Sequence, residues 1–451
     1  MSKTYRSYEP DQMFLMPPSL LEWLPKDHLV FFLRDVLESM DLSPITSVYE
    51  EESRGYPPYH PKAMTGILLY GYCNGVRSSR KLARHCQEDV AFRVLAANNT
   101  PDFRTISDFR KRHVETLKHL FAEILLMCKK AGLVKFGHIS LDGTKIKANA
   151  SKHKAMSYGR MNQEITRLEG EIAQLLQEAE AIDAEEDTLY GRTRRGDELP
   201  EELAHRETRL AKIREAKRAL EEEARQEETD NDGGPPQARI KTEVDPTTGN
   251  ERVADSAQRN FTDPESRIMP YQKTFVQGYN VQLMVDKAHQ IIVATDLSNT
   301  PTDDAHLKHM LTLLRKRPKV FTADAGYGKD HCLKLLRRKR INAYVALARE
   351  RHGPMTTRAP RGPIPKTLTL KERMQRKLLT LKGRRTYALR KTIPEPVIGQ
   401  IKNVMGFREF SLRGQDNARN EWFLVTGAHN LWKLFRACCV QPWRRKLIFA
   451  T

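Results

Sequence analysis

The sequence predicts an α/β protein with an N-terminal all-α domain and a helical, coiled-coil-like insertion, and three observations support this fold class. Residues 1–132 repeat apolar side chains at helical spacing, as in the segment HLVFFLRDVLESM. After them, short β-rich apolar runs alternate with helical patterns, which is typical of α/β folds. Residues 155–270 interrupt this alternation with long charged segments of heptad spacing.

The predicted N-terminal domain contains polar junctions at residues 74–79 and 98–102, and each precedes a new helical pattern that carries Arg or Lys. One of these junctions could belong to a helix-turn-helix that reads DNA. The alternative is an ordinary helical bundle whose charges face solvent. The junctions by themselves favour neither interpretation.

The insertion carries apolar residues at alternating spacings of three and four, first at Ile165, Leu168, Ile172, Leu175, Ala179 and Ile182 and then, in a similar register, from Leu203 to Ala224. The breaker segment 191–200 separates the two runs, which predicts an antiparallel helical hairpin. The same heptads could instead mediate dimerisation. Residues 227–236 are rich in acids, Gly and Pro, and predict a loop or a disordered linker.

Two of the short apolar runs end at an aspartate. Residues 137–141 precede Asp142 and residues 320–323 precede Asp324, with a glycine within two positions of each aspartate. Each pattern predicts a strand followed by a turn. The other predicted elements of this region are a β-hairpin at 279–286 and 290–297, helices at 303–316 and 329–338, and a strand at 342–347. Neighbouring strands would bring the two aspartates within ligand distance.

A third acidic residue, Glu395, lies between Pro394 and Pro396 ahead of apolar residues at helical spacing, which predicts the first turn of a helix. Lys402 would share its face. Carboxylates from separate elements suit Mg²⁺ or Mn²⁺, and two such ions stabilise the attacking and leaving oxygens of an in-line phosphoryl displacement. Asp142, Asp324 and Glu395 therefore indicate phosphodiester cleavage or transfer.

These residues resemble the motifs of the DDE transposases of bacterial insertion sequences. In that family one Asp follows a strand, a second lies in an ADAGY-like strand end, and a Glu belongs to the signature Tyr-x-x-Arg, Glu, six residues, Lys. The matching positions here are Asp142, Asp324, Tyr387, Arg390, Glu395 and Lys402. Four residues instead of the usual three separate Arg390 from Glu395, so that Lys391 is an alternative to Arg390. The resemblance extends to GVRSSRKLARHC, TPDFRTISDFR and GFREFSLRGQDNARNEWFLVTGAHNLWKL.

The resemblance implies a ribonuclease H-like catalytic domain in two parts, 133–154 and 271–436, after a DNA-binding domain over 1–132 and before a basic tail over 437–451. It implies that Asp142, Asp324 and Glu395 are catalytic and hold two Mg²⁺ or Mn²⁺ ions. The expected partners are double-stranded DNA, as element ends and as target, and a second copy of the chain in a dimer on DNA. The alternatives are a metal-dependent nuclease of the same fold and an inactive relative that only binds DNA.

Several basic and aromatic residues are candidates for contacts with DNA. Tyr387, Arg390 or Lys391, and Lys402 accompany Glu395 in the signature and would position the strand beside it. Lys145 and Lys147 follow Asp142 and could reach phosphate, or could line a solvated strand face.

The charge of the chain favours a polyanionic partner. Its 451 residues carry a net charge of +19 with an isoelectric point near 9.6. Residues 161–232 contain 22 acidic and 11 basic residues, so that the rest of the chain carries +30 and should hold the DNA-handling surface. Positive charge is densest over 337–391, at Arg337, Arg338, Lys339, Arg340, Arg349, Arg351, Arg358, Arg361, Arg384 and Arg385.

Other polar residues compete weakly for roles in the site. We expect Glu421 to support packing or to pair with an arginine. Asp303 and Asp304 resemble an N-cap pair, and Asp304 could brace the site. His429 and Asn430 are expected to hydrogen-bond within the fold.

The remaining composition excludes several classes of protein. The six cysteines form no Cys-x-x-Cys pair, so neither a zinc ribbon nor a disulfide framework is indicated. No apolar run reaches transmembrane length, and the N-terminal residues lack the apolar core of a signal peptide. We therefore expect a cytoplasmic protein associated with the bacterial nucleoid.

Overall fold

The computed structural model describes residues 19–50, 57–190, 201–226, 235–244, 251–271, 274–347, 362–363, 365 and 367–449. The chain forms two compact units, one of Met1–Thr116 with Leu434–Thr451 and the other of Leu117–Lys433. The predicted breaker at 191–200, most of the predicted linker at 227–236, and Arg349, Arg351, Arg358 and Arg361 lie outside the described residues.

The helices are α1 Leu29–Ser39, α2 Ser43–Glu50, α3 Pro61–Cys73, α4 Ser79–Glu88, α5 Val90–Leu95, α6 Phe103–Arg112, α7 Val114–Leu117, α8 His119–Lys130, α9 Tyr158–Tyr190, α10 Glu201–Gln226, α11 His306–Thr312, α12 Asp330–Arg338, α13 Leu370–Leu379, α14 Leu381–Ala388, α15 Pro394–Gly399, α16 Gln415–Val440 and α17 Trp443–Phe449. The strands are β1 His138–Lys147, β2 Ala155–Ser157, β3 Thr242–Val244, β4 Glu251–Val253, β5 Gln258–Asn260, β6 Arg267–Tyr271, β7 Thr274–Asp286, β8 Ile291–Ser298, β9 Val320–Ala323 and β10 Ala343–Val345.

The first unit is helical and is built around α3, which is buried on nearly all sides from Pro61 to Cys73. The amphipathic helix α1 packs its apolar face onto this helix. Residues 443–449, which belong to the predicted basic tail, form α17 in this unit. Arg445 pairs with Asp35 there, and the Phe449 ring lies 5.9 Å from that of Phe32.

The second unit contains a six-stranded mixed sheet with the order β10-β9-β1-β7-β6, and β8 also pairs with β7. β1 is parallel to β9 and antiparallel to β7, while β7 and β8 form the predicted antiparallel hairpin. Apolar residues of β1, β9 and β10 pack against α11 and α12 in one buried cluster. The sheet thereby holds the strands that carry Asp142 and Asp324 side by side.

The two helices of the insertion, α9 and α10, pair with each other within the chain. Leu168, Leu210, Ile213 and Leu220 lie in the buried seam between them. Ion pairs cross this seam from Arg206 to Glu171 and from Arg209 to Glu164, and their order along the two helices makes the pairing antiparallel. Most of the apolar heptad positions described on these helices therefore contact their own chain.

No helix in the described part of the chain is long and apolar enough to cross a membrane.

Candidate functional site

Asp142 lies within β1, next to the strand that leads to Asp324. Leu141 is paired with Ala323 in the parallel register of β1 and β9, so the two aspartates follow paired residues on neighbouring strands. The prediction that Asp142 ends its strand is wrong, because β1 continues through Gly143 to Lys147. A Cβ at Gly143 would collide with the Gln282 side chain. Glycine at this position therefore allows the β1 backbone to lie against that side chain.

Asp324 follows β9 directly and caps the short turn Ala325–Tyr327, as the sequence predicted. Its Oδ1 accepts a hydrogen bond from the Gly326 N–H at 2.9 Å. A Cβ at Gly326 would lie 3.0 Å from the same Oδ1 and 3.3 Å from the Asp303 carboxylate. Because glycine leaves this space open, the two carboxylates can lie close together at the end of the strand.

Glu395 lies in the first turn of α15, as predicted, and Arg390 connects it to Asp142. The Arg390 guanidinium donates to Asp142 Oδ2 at 3.2 Å and to Glu395 Oε1 at 3.3 Å. The side chains of Asp142 and Arg390 are 13% and 14% exposed, whereas that of Glu395 is 47% exposed. Glu395 therefore lies at the open side of a mostly buried ion-pair cluster.

Burial makes ionisation of the two aspartates unfavourable. It raises the pKa of Asp142 from 3.8 to about 7; Arg390 opposes the rise, and the Asp324 and Glu395 carboxylates add to it. Burial and the adjacent Asp303 carboxylate also raise the pKa of Asp324, again against Arg390. Cations near these carboxylates would lower both pKa values.

Asp303 is a fourth carboxylate that the sequence did not place in the site. Its Oδ1 accepts hydrogen bonds from Asn280 at 2.9 Å, Gln282 at 3.1 Å and Lys145 at 3.1 Å. Burial opposes its ionisation, but Lys145 and these donors together hold the pKa of Asp303 below its ordinary value. A carboxylate whose ionised form is favoured therefore lies beside Asp324.

The sheet register could have revealed this network. Gly143 is paired with Gln282 and Lys145 with Asn280 in the β1–β7 ladder, so alternate residues of both strands point to one face. Asp303 reaches that face from the segment before α11. Its position in the chain alone suggested only a helix cap.

The structure brings most of the predicted DNA-contacting residues near the carboxylates. The Arg390 guanidinium lies 5.9 Å from the centre of the Tyr387 ring. The half-buried Lys402 ammonium donates to Thr144 Oγ1 at 2.5 Å and to the Lys145 carbonyl at 3.1 Å, and burial lowers its pKa. Lys391 is exposed, and Arg390 makes both ion pairs with the carboxylates.

Lys147 is exposed at the far end of β1, where its backbone pairs with that of Arg408 and Phe410. Lys145, two residues earlier, instead reaches into the site through its ion pair with Asp303. The two lysines, for which contact with phosphate and a solvated strand face were both open, therefore have different surroundings.

The competing polar residues have structural partners. Glu421 is buried and accepts hydrogen bonds from the N–H groups of Ser411 and Leu412 at 2.8 and 3.2 Å. Asp304 pairs with Lys329 at 3.0 Å. Within the fold, Asn430 bonds both backbone groups of Ile292, and His429 lies 3.2 Å from the Gln290 carbonyl.

The chemistry of the cluster fits a divalent cation. Asp142, Asp324 and Glu395 offer only carboxylate oxygens, which Mg²⁺ and Mn²⁺ prefer, and two of them have raised pKa values. Among the described residues, however, no group of three His, Cys, Asp or Glu side chains is arranged closely enough to hold an ion. Arg390 lies between Asp142 and Glu395, so these two side chains would have to move together around a metal.

Comparisons with protein families give two matches. Residues 18–112 match a transposase domain (DUF772), and residues 248–431 match a transposase DDE domain. The two matches indicate a DDE transposase. They support a transposase of the insertion-sequence type, and the DDE domain implies a ribonuclease H-like fold. Neither a curated protein nor a solved structure gives a significant match.

The match to the transposase DDE domain covers Asp324 and Glu395 but not Asp142. β1, which carries Asp142, pairs with β7 and β9 of the matched region. DDE transposases generally use divalent metal ions, in agreement with the carboxylate oxygens that this cluster offers.

Proposed function

We propose that this transposase binds the terminal inverted repeats of its own insertion sequence, hydrolyses the DNA ends, and joins the freed 3′-hydroxyls to target DNA. The observation that carries the proposal is the cluster in which Arg390 joins Asp142 to Glu395, with Asp324 at the end of the strand beside Asp142. Two of these carboxylates belong to a matched transposase DDE domain.

The three carboxylates would hold two Mg²⁺ or Mn²⁺ ions, which supply a Lewis acid for the attacking and leaving oxygens of the phosphodiester. Arg390 would exchange its carboxylate partners for a DNA phosphate, since a guanidinium binds phosphate as readily as carboxylate. Asp303 would hold Lys145 in place at the site. Lys402 would support β1 through the Lys145 carbonyl and the Thr144 hydroxyl and would contact the DNA strand beside Glu395, with the Tyr387 ring under the Arg390 guanidinium.

We assign terminal-repeat recognition to α6 of the first unit. Its buried face holds Ile106 and Phe109, while Arg104 and Lys111 are exposed. The buried Arg110 donates to the Arg77 carbonyl at 2.9 Å, and this bond ties α6 to the residues before α4. An exposed basic face on a helix packed against a second helix is the arrangement with which helix-turn-helix proteins enter the major groove.

The expected assembly is a dimer on DNA, because two element ends must be brought together for joining. The described apolar heptad positions of α9 and α10 pack within the chain. We therefore expect the two copies to meet through other surfaces or through the DNA.

The test is cleavage and joining of a labelled duplex that carries the terminal repeats, with Mg²⁺ or Mn²⁺. Asp142→Ala, Asp324→Ala and Glu395→Ala are expected to lose both activities while they still bind the duplex, and Glu421→Ala serves as the matched acidic control. Cleavage that survives Glu395→Ala would move the third ligand elsewhere. Cleavage without joining in the wild type would favour a nuclease, and no cleavage at all would favour an inactive DNA-binding relative.

Recognition by α6 is tested by Arg104→Ala with Lys111→Ala. These changes should weaken binding to the terminal repeat by about 10-fold or more while a duplex of unrelated sequence binds almost equally, since each lost base contact costs about 1–3 kcal/mol. Equal loss on both duplexes would contradict the assignment.

A further inference from the structure

A basic surface lies on the second unit at the end of α12 and along α14. Its exposed residues are Lys334, Arg337, Arg338, Lys339, Arg340, Lys382 and Arg385. None of these seven side chains has an ion-pair partner among the residues that the structure describes. We call them the α12–α14 surface.

The acidic residues of α12 and α13 are already engaged. Asp330, in the first turn of α12, pairs with Lys371 of α13 at 3.2 Å. Glu372 caps α13 through the backbone and hydroxyl of Thr369. The α12–α14 surface therefore keeps an uncompensated positive charge, which a polyanion would neutralise.

The surface is held in a fixed shape by α13. Leu370 and Met374 of this helix pack against the core cluster that contains Leu336 of α12. The half-buried Lys377 donates to Asn342 Oδ1 at 2.6 Å and to the Ala343 carbonyl at 2.7 Å. These contacts fix α13, and α14 after it, along the edge strand β10, so the charges stand on a rigid scaffold.

Lys377 also contacts an aromatic ring where α13 packs against β10. Its ammonium lies 4.0 Å from the centre of the Tyr344 ring. Burial, with the positive charge of Lys382 as a second cause, lowers the pKa of Lys377 to about 8. Lys382, by contrast, is exposed and remains available to a phosphate.

The surface continues into the catalytic cluster. α14 ends at Ala388, and the turn Leu389–Thr392 that follows carries Arg390, which reaches Asp142. A DNA backbone lying on the α12–α14 surface would therefore be led along α14 toward the carboxylates. The α12–α14 surface and the carboxylates belong to the same compact unit.

We propose that the α12–α14 surface binds the backbone of the target DNA duplex during joining. The proposal rests on the function proposed above. Lysine and arginine side chains without fixed partners contact phosphates, and such contacts carry little sequence information. Target DNA is the substrate whose binding requires the least sequence specificity, whereas the terminal repeat must be bound by its sequence.

The experiment compares Arg337→Gln, Arg338→Gln, Lys382→Gln in one triple variant with Lys212→Gln, Arg218→Gln, Arg225→Gln as a control. The control removes the same charge from exposed positions on α10 of the same unit. Binding to a labelled duplex that lacks the terminal repeat is measured between about 50 and 200 mM salt. The plot of log K against log salt should become shallower by about 2.7 for the test variant, since each lost phosphate contact removes about 0.9.

The joining assay separates this proposal from the function on which it rests. Joining by the test variant should fall by about 10-fold or more at physiological salt, while cleavage of the element ends stays within about 2-fold of the control. An unchanged salt slope, equal loss in the control variant, or cleavage lost together with joining would overturn the proposal. Stronger competition by duplex RNA than by duplex DNA would also overturn it. If the wild type neither cleaves nor joins, the proposed function fails and the salt slope still tests the surface.

Discussion

Replacing Asp142 with asparagine should stabilise the metal-free protein relative to wild type, and this relative gain should grow as the pH rises. The folded-state pKa of Asp142 is raised from 3.8 to about 7, so the carboxyl group holds its proton more tightly in the folded chain. A raised folded pKa contributes stability below the unfolded pKa, and that contribution is lost as pH rises toward the folded pKa. In wild type the loss therefore runs from about pH 4 to about pH 7.

The magnitude follows from the shift. About 3 pKa units at 1.36 kcal/mol each correspond to roughly 4 kcal/mol of lost stability above pH 7, and to about 2 kcal/mol at pH 5. Asparagine has no proton to lose, although it also weakens the contact with Arg390 at every pH. The difference in unfolding free energy between variant and wild type should thus move by roughly 2–3 kcal/mol in favour of the variant from pH 5 to pH 8.

The assay is thermal unfolding in a chelator at several pH values between 5 and 8, which should show a relative gain in Tm of about 3 °C for the variant. Asp41→Asn is the control. Asp41 is fully exposed and its pKa is lowered by hydrogen bonds from Ser43, so it stays ionised throughout this range. A Tm difference that is constant with pH for Asp142→Asn would refute the reasoning, because the carboxylate would then be ionised without penalty.

Three further changes test the surrounding network. Arg390→Ala leaves the buried Asp142 carboxylate without its cation, so the unfolding free energy should fall by about 3 kcal/mol and Mn²⁺ should restore part of it in a thermal scan; a loss below about 1 kcal/mol would argue against the ion pair. Asp303→Asn removes the ion pair that holds Lys145. This change should slow cleavage by about 10–100-fold with unchanged affinity for the terminal repeat. Unaltered cleavage would show that Asp303 has no role in the site. Glu421→Ala takes the acceptor from two backbone N–H groups and should cost about 1–3 kcal/mol while the folded protein keeps its specific activity. Inactivity of a stable Glu421→Ala protein would instead make Glu421 a candidate metal ligand.

The sequence predicted the local part of the site because the signals there are local. An apolar run that ends in Asp and Gly placed Asp324 correctly, and the two prolines placed Glu395 in the first turn of its helix. The same rule failed at Asp142. A glycine in the middle of a strand looks like a turn until the neighbouring strand is known, and the crowding above Gly143 comes from Gln282 on β7.

The spacing of the signature shows a similar limit. One extra residue between Arg390 and Glu395 made Lys391 an alternative for the arginine. The short turn Leu389–Thr392 separates α14 from α15. The position of Arg390 is therefore not set by the helical spacing of α15, and its guanidinium still contacts the Glu395 carboxylate. Helical spacing cannot predict a contact across such a break.

The insertion illustrates the third limit. Heptads predicted helices, but an apolar seam specifies burial and not the identity of the partner. The choice between pairing within and between chains depends on the connecting segment and on charges across the seam. Arg206 with Glu171 and Arg209 with Glu164 supply such charges in the antiparallel arrangement within the chain.

The charge balance of the site argues that it is built to receive cations. Asp303 is matched by Lys145, which leaves Asp142, Asp324 and Glu395 opposed by Arg390 alone. Burial raises the pKa of Asp142 and that of Asp324, and the neighbouring carboxylates in excess over cations add to the rise, since a buried group is more stable when neutral. Divalent ions would remove this deficit, and Arg390 would then be free to bind a phosphate at the place where it now holds two carboxylates.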